Sequence, residues 1–159
     1  MTDIEYLREA CRYAVQHSHD PETQIGAVLV TSRQTIYAAN CVPPGVVRHE
    51  HRLARPFKYD FVEHAERAAI YKAAAAGAAT AGAKLFCPWF ACTDCARAIV
   101  LAGIREVVGL IALRNATPAR WLLKVEMAEK MLEEAGVSQR LLAHSVGVTI
   151  RFDGGDFSC

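Results

Sequence analysis

Four residues of this chain have types and spacing that could do chemistry together: His64 and Glu66 in "EHAERAAIYKAAAAG", and Cys92 and Cys95 in "ACTDCARAI". The two cysteines stand three positions apart at the start of a predicted helix. There they share a face, and the unpaired amides and helix dipole favour thiolate over thiol. That spacing suits zinc, although C-x-x-C alone leaves a redox pair, half of a four-ligand structural site and chance all open. His64 adds a donor at the start of another predicted helix, and the strand after that helix feeds directly into the cysteines. One imidazole and two thiolates leave the fourth tetrahedral position of a zinc ion to water, which is the open coordination of a catalytic site. Such a metal lowers the pKa of its water from about 16 to about 7. Glu66 is then the carboxylate that could take a proton from that water and pass it to a substrate. The reading carries a geometric condition: residues two apart on a regular helix diverge, so His64 and Glu66 reach one site only from the first turn. Without the cysteines, helix capping with an acidic first turn would account for both.

The elements that must position these groups follow from periodicity. Residues 4–17 repeat Ile4, Leu7, Cys11 and Ala14 on one face and predict an amphipathic helix. After "DPETQ", the stretches "IGAVLV" and "RQTIYAAN" predict a hairpin turning at residues 31–33. Residues 41–60, with three prolines, a glycine and no period, predict a long basic and aromatic loop. The helix of His64 is expected from residue 61. It is followed by a short buried strand in "AKLFCP", a helix in "TDCARAIVLAG" and a strand in "REVVGLIAL". Strand, helix, strand implies a parallel pair with a right-handed crossover. "TPARWLLKVEMAEKMLEEAGV" predicts a further helix with Pro118 in its first turn and Gly136 just past its end. A last short strand is expected at residues 148–152. The sum is an α/β protein with a mixed sheet between helical layers.

With 159 residues, 52% of them hydrophobic, the chain can bury one core but not two of usual size, so a single domain over residues 1–159 is expected. A net charge of +1 gives no global attraction to nucleic acid or an anionic membrane, so a charged ligand must be met by a local cluster. The most apolar window, residues 99–113, is interrupted by Arg105 and Glu106, and the amphipathic start does not read as a signal peptide. A cytoplasmic protein with no membrane contact is therefore expected. Its six cysteines, Cys11, Cys41, Cys87, Cys92, Cys95 and Cys159, read as reduced thiols rather than as a disulfide framework.

"HAE", with "CTDC" beginning 28 residues after the histidine, resembles the signature of the zinc-dependent cytidine and deoxycytidylate deaminase superfamily. "TQIGAVLV", "NCVPPG", "HAERAAIY", "WFACTDCARAI" and the late "RW…AEKMLEEAGV" extend the likeness over nearly the whole chain, closest to the deoxycytidylate branch. The resemblance implies a three-layer α/β/α fold with a mixed sheet of about five strands. It also implies a zinc site of His64, Cys92 and Cys95, with Glu66 as proton shuttle. Asn40 is implied at the substrate, with C4 of a cytosine ring attacked and ammonia leaving. It implies a homo-oligomer and a small nucleotide or nucleobase as substrate, dCMP first; nucleic acid is not an expected partner. The chain departs from the family at Ala91, where a proline is expected, and at Ala68, where many relatives have Asn.

The residues expected to touch substrate are Asn40, Ala65, Phe90, Arg48 and Arg55. Several have bland alternatives. Asn40 could be a turn residue. Arg48, Arg52, Arg55 and Lys58 could bind a 5′-phosphate or simply make a solvated loop. Phe90 and Trp89 could wall a base pocket or belong to the core, the core being favoured for Trp89. Cys87 reads as a core thiol, and His49 and His51 as loop groups. Two further readings compete with dCMP deamination. One is deamination of another aminated ring, such as cytidine, guanine or transfer-RNA adenosine. The other is a structural zinc site completed by Cys87 or His49.

Overall fold

Thr2 and Glu5 begin the first helix reciprocally: the Thr2 side chain accepts the Glu5 N–H and the Glu5 carboxylate accepts the Thr2 N–H, a capping box. The computed structural model describes residues 1–159. In chain order its elements are helix α1 (Asp3–His17), strands β1 (Gly26–Val30) and β2 (Thr35–Ala39), a 3-10 turn (Glu50–Leu53), and helices α2 (Lys58–Phe61) and α3 (Ala65–Ala75). Then come β3 (Lys84–Phe86), α4 (Thr93–Leu101), β4 (Glu106–Leu110), α5 (Ile111–Asn115), α6 (Ala119–Glu134), β5 (Ser138–Leu142), β6 (Thr149–Phe152) and β7 (Gly155–Ser158). No helix is long and apolar enough to cross a membrane.

Five strands form a mixed sheet in the order β2-β1-β3-β4-β5. β1 runs antiparallel to both neighbours, whereas β3, β4 and β5 are parallel, joined by α4 and by α5 with α6. Two rows of side chains cross the three central strands in register. Val28, Phe86 and Val108 form one row and Leu29, Leu85 and Val107 the other, all fully buried. Burial on both faces explains why these strands read as continuous apolar runs without alternation. Tyr6 of α1 stacks on Phe86 with ring centroids 4.6 Å apart, so the Val28 row faces α1. Helix α3 covers β1 and β2 and adjoins α4, which packs on α6, forming the second helical layer. Gly26 sets the closeness of α1 to β1, because a Cβ there would stand 2.0 Å from the Ala10 carbonyl oxygen.

The fold departs from the sequence reading in five places. The stretch 41–60 is not irregular throughout, since it holds the 3-10 turn and the start of α2. The helix of His64 begins at Ala65 rather than residue 61. Cys41 and Glu63 exchange backbone hydrogen bonds of 3.0 and 2.8 Å, which holds residue 63 in an extended bridge. β4 ends at Leu110, where α5 takes over. β5 and β7 went unread: β5 is an edge strand whose five residues are all at least partly exposed, so it lacks the apolar signal that marks buried strands.

Candidate active site

Two helix starts meet at one point. His64 is the N-cap of α3 and Cys92 the N-cap of α4, both in extended backbone conformation, and neither uses its side chain to cap its helix. Instead His64 Nδ1 lies 3.5 Å from Cys92 Sγ and 3.4 Å from Cys95 Sγ. A tetrahedral zinc ion, with bonds of about 2.3 Å to sulfur and about 2.05 Å to nitrogen, would place those atoms about 3.6 Å apart. The donor set and its spacing therefore fit zinc. Cys87 donates to the Trp89 carbonyl at 3.3 Å and His49 stacks on His51 in the exposed loop, so neither supplies a fourth ligand.

Glu66 is the second residue of α3 and is 3% exposed. N-cap and second position both belong to the first turn, so the geometric condition on His64 and Glu66 is met. Burial pushes the Glu66 carboxyl above the ordinary carboxylate range, with His64 pulling the other way. The Cys92 thiol is drawn down to about 3 by the hydrogen bond from Cys95 and by His64, while burial opposes. Cys95, which donates to Cys92 and is itself buried, is pushed up. Burial disfavours the charged His64, yet its hydrogen bond to Cys92 and the nearby Glu66 carry its pKa above the usual value. Arg67 steadies the entry to α3: its Nε donates to Glu63 at 2.6 Å, and Glu63 in turn accepts the His64 N–H at 2.8 Å.

Above these groups opens a cleft. Its walls include Phe90 and Ala65, together with an aromatic set of Tyr59, Trp89, Trp121 and Phe152. Trp121 meets His64, Tyr59 and Trp89 edge-on, with centroids 5.8 to 6.2 Å apart, and Trp89 meets Phe152 at 5.0 Å. The Phe90 ring lies against β4 at Gly109, where a Cβ would come within 2.7 Å of it. Phe90 is joined to Ala91 by a cis peptide.

Asn40 lines the cleft, but most of its hydrogen-bonding capacity holds the loop between α1 and β1. Its Oδ1 accepts from Ser18 Oγ at 2.6 Å and the Ile25 N–H at 3.0 Å, and its Nδ2 donates to the Thr23 carbonyl at 2.7 Å. One amide hydrogen remains for a ligand. Of the basic loop residues, Arg55 and Lys58 line the cleft and Arg48 and Arg52 do not; Arg52 lies over the Phe61 ring and donates to the Val47 carbonyl. The sequence reading did not single out Arg120, Trp121, Phe152 or Asp153, which line the cleft from α6 and the β6–β7 hairpin. "RW" within the late helix carried a signal for the first two. Nothing local marked the others.

A family model for the cytidine and deoxycytidylate deaminase zinc-binding region matches residues 1–111. Deoxycytidylate deaminases of Homo sapiens and Pongo abelii are 33% and 32% identical over 112 residues, 65% of this chain. The match covers 62% of the length of each of those relatives. A crystal structure of dCMP deaminase from the cyanophage S-TIM5, in complex with dCMP and dUMP, has the same fold. Its TM-score is 0.68 at 24% identity, over 87% of this chain and 94% of that one. The family match spans both helix starts and with them His64, Glu66, Cys92 and Cys95, and on that ground the chain belongs to the family of the cytidine and deoxycytidylate deaminase zinc-binding region.

Proposed function

We propose that the chain is a single-domain, zinc-dependent hydrolytic deaminase that converts dCMP to dUMP and releases ammonia. The observation that carries this reading is the convergence of His64 Nδ1, Cys92 Sγ and Cys95 Sγ beside buried Glu66, at the floor of an aromatic-walled cleft. Relatives named deoxycytidylate deaminases support the substrate class. In this reading His64, Cys92 and Cys95 would hold zinc, which when bound would supply a water of pKa about 7 as the nucleophile. Glu66 would accept a proton from the water whose oxygen bonds to C4 and deliver it to ring N3, then carry the remaining proton of that oxygen to the amino group, so that the C4–N bond breaks and ammonia leaves a C4 carbonyl. Its burial makes the neutral, proton-carrying form inexpensive, as a group that must alternate between base and acid requires. The Ala65 N–H, at the first helical position, is one of the amides that α3 cannot pair internally and is available to a ring oxygen. Phe90 and the aromatic wall would enclose the ring and exclude water, and Asn40 offers its remaining amide hydrogen to the sugar or base. Arg55 stands at the phosphate end.

We further infer a homo-oligomer in the cytoplasm. Leu123 and Met127 on α6 are 68% and 54% exposed, an apolar surface suited to a second copy, and the six cysteines are free thiols. Ammonia release across dCMP, deoxycytidine, cytidine, cytosine, guanine and adenosine, with and without a chelator, tests the function. Chelator-sensitive turnover with dCMP preferred is expected. Equal turnover of monophosphate and nucleoside would sink the nucleotide assignment, and silence on every cytosine compound would sink the deaminase.

A further inference from the structure

Three cations other than His64 line the cleft, and each is already engaged by an acid. Buried Lys58 holds Asp20 at 2.9 Å and Glu22 at 3.0 Å. Arg55 reaches Glu22 at 3.3 Å and Asp153 at 3.1 Å, and Arg120 also grips Asp153. The last contact is the informative one. Oδ1 of Asp153 accepts from both Arg55 and Arg120, which belong to the loop before α2 and to α6, while Asp153 sits in the turn between β6 and β7. A small anion held between two guanidinium groups from separate elements is the arrangement that binds a phosphate.

The turn that presents Asp153 is fixed from below. Its backbone is left-handed at φ 50°, its N–H donates to Thr23 Oγ1 at 3.3 Å, and the next N–H, of Gly154, donates to the Glu22 carbonyl at 2.9 Å. Thr23 and Asp153 both line the cleft. The carboxylate is thus delivered to the cleft by backbone contacts that do not depend on the arginines.

We propose that Asp153 is a specificity-determining residue: a built-in anion that occupies Arg55 and Arg120 until the 5′-phosphate of the substrate replaces it. This rests on the reading that the cleft takes a nucleoside monophosphate. A phosphate ester carries a charge of about −1.5 to −2 and three acceptor oxygens, so it outcompetes one carboxylate for the two guanidinium groups. A neutral nucleoside brings nothing to replace Asp153. The phosphate therefore gains only the difference between two anions, and the preference for monophosphate is set by Asp153 as much as by the arginines.

If Asp153 competes with phosphate, removing its charge tightens phosphate binding; if it only braces the arginines, removal loosens it. Asp153→Asn suits the test because Asn also tolerates a left-handed backbone and keeps the N–H to Thr23. Inorganic phosphate is titrated calorimetrically onto the zinc-loaded full chain. The expected result is binding on the order of tenfold tighter in Asp153→Asn, the size of one charge-assisted hydrogen bond. Adding Arg120→Gln should abolish the gain, and Asp156→Asn, which removes a carboxylate bound by Arg151 on the same hairpin, should bind as wild type does. The KM for dCMP should fall by a similar factor relative to that for deoxycytidine. Unchanged or weaker phosphate binding in Asp153→Asn overturns the proposal. If the wild type turns over no dCMP, the nucleotide reading falls, while the phosphate titration still decides the role of Asp153.

Discussion

Glu66 and the three metal donors differ in what their loss should do, which separates a catalytic site from a structural one. Glu66 holds no ligand position in the cluster of His64, Cys92 and Cys95. Glu66→Gln should therefore fold and keep its zinc while deamination falls by about 10²–10⁴, the usual worth of a positioned proton carrier. Zinc content by atomic emission beside ammonia release checks this, and residual activity within a few fold of wild type would remove Glu66 from the chemistry. Cys92→Ala should lose the metal. Cys87→Ala should retain it, because Cys87 is engaged by a carbonyl and not by the donor cluster; zinc lost from both variants would mean a fourth protein ligand.

Among the elements, the contact of α1 with the sheet and the parallel edge carry the sharpest expectations. Ala at position 26 would drive its Cβ into the Ala10 carbonyl, a backbone atom that cannot turn aside, so Gly26→Ala should destabilise by about 3 kcal/mol in urea unfolding. Across β3, β4 and β5, Glu106 joins Lys84 at 2.7 Å to Arg140 at 2.9 Å. The Lys84 hydrogen bond, with Arg140 adding to it and burial opposing, holds the Glu106 carboxyl below its ordinary range. A depressed carboxylate contributes stability above its unfolded pKa and loses it as pH falls through the folded value. Glu106→Gln should accordingly cost about 0.5–1 kcal/mol at pH 7, and the gap to wild type should close in acid. A gap that persists once the carboxyl is protonated would mean that packing, not charge, is lost.

For the whole molecule, the metal site is a fastener between two helices. His64 enters from α3 and the cysteines from α4, so an ion bound to all three joins elements that otherwise meet through side-chain packing and the Arg67–Asp94 ion pair. A metal at about 1,000 times its Kd stabilises the folded state by about 4 kcal/mol. For a chain of this size, chelation should then lower the Tm by about 10 °C. Scanning calorimetry with and without a chelator measures this, and an unchanged Tm would argue that the donors are not metal-bound in solution.

How far this was legible beforehand depends on the range of the interactions involved. The sequence determined the ligand types, the start of α4 that presents the cysteines and the apolar strands of the sheet, because periodicity and burial patterns act over a few residues. It could not place β5, an edge strand too exposed to carry an apolar signal, nor the break before α3, which depends on pairing between Cys41 and Glu63. Only the tertiary structure decided the mouth of the cleft. It set Arg55 inside and Arg48 outside, gave most of Asn40 to the neighbouring loop, and brought Trp121, Phe152 and Asp153 to the site. Asp153 meets Arg55 across 98 residues of chain, and no local pattern encodes such a meeting. It follows from how α6 and the terminal hairpin pack against the rest of the fold.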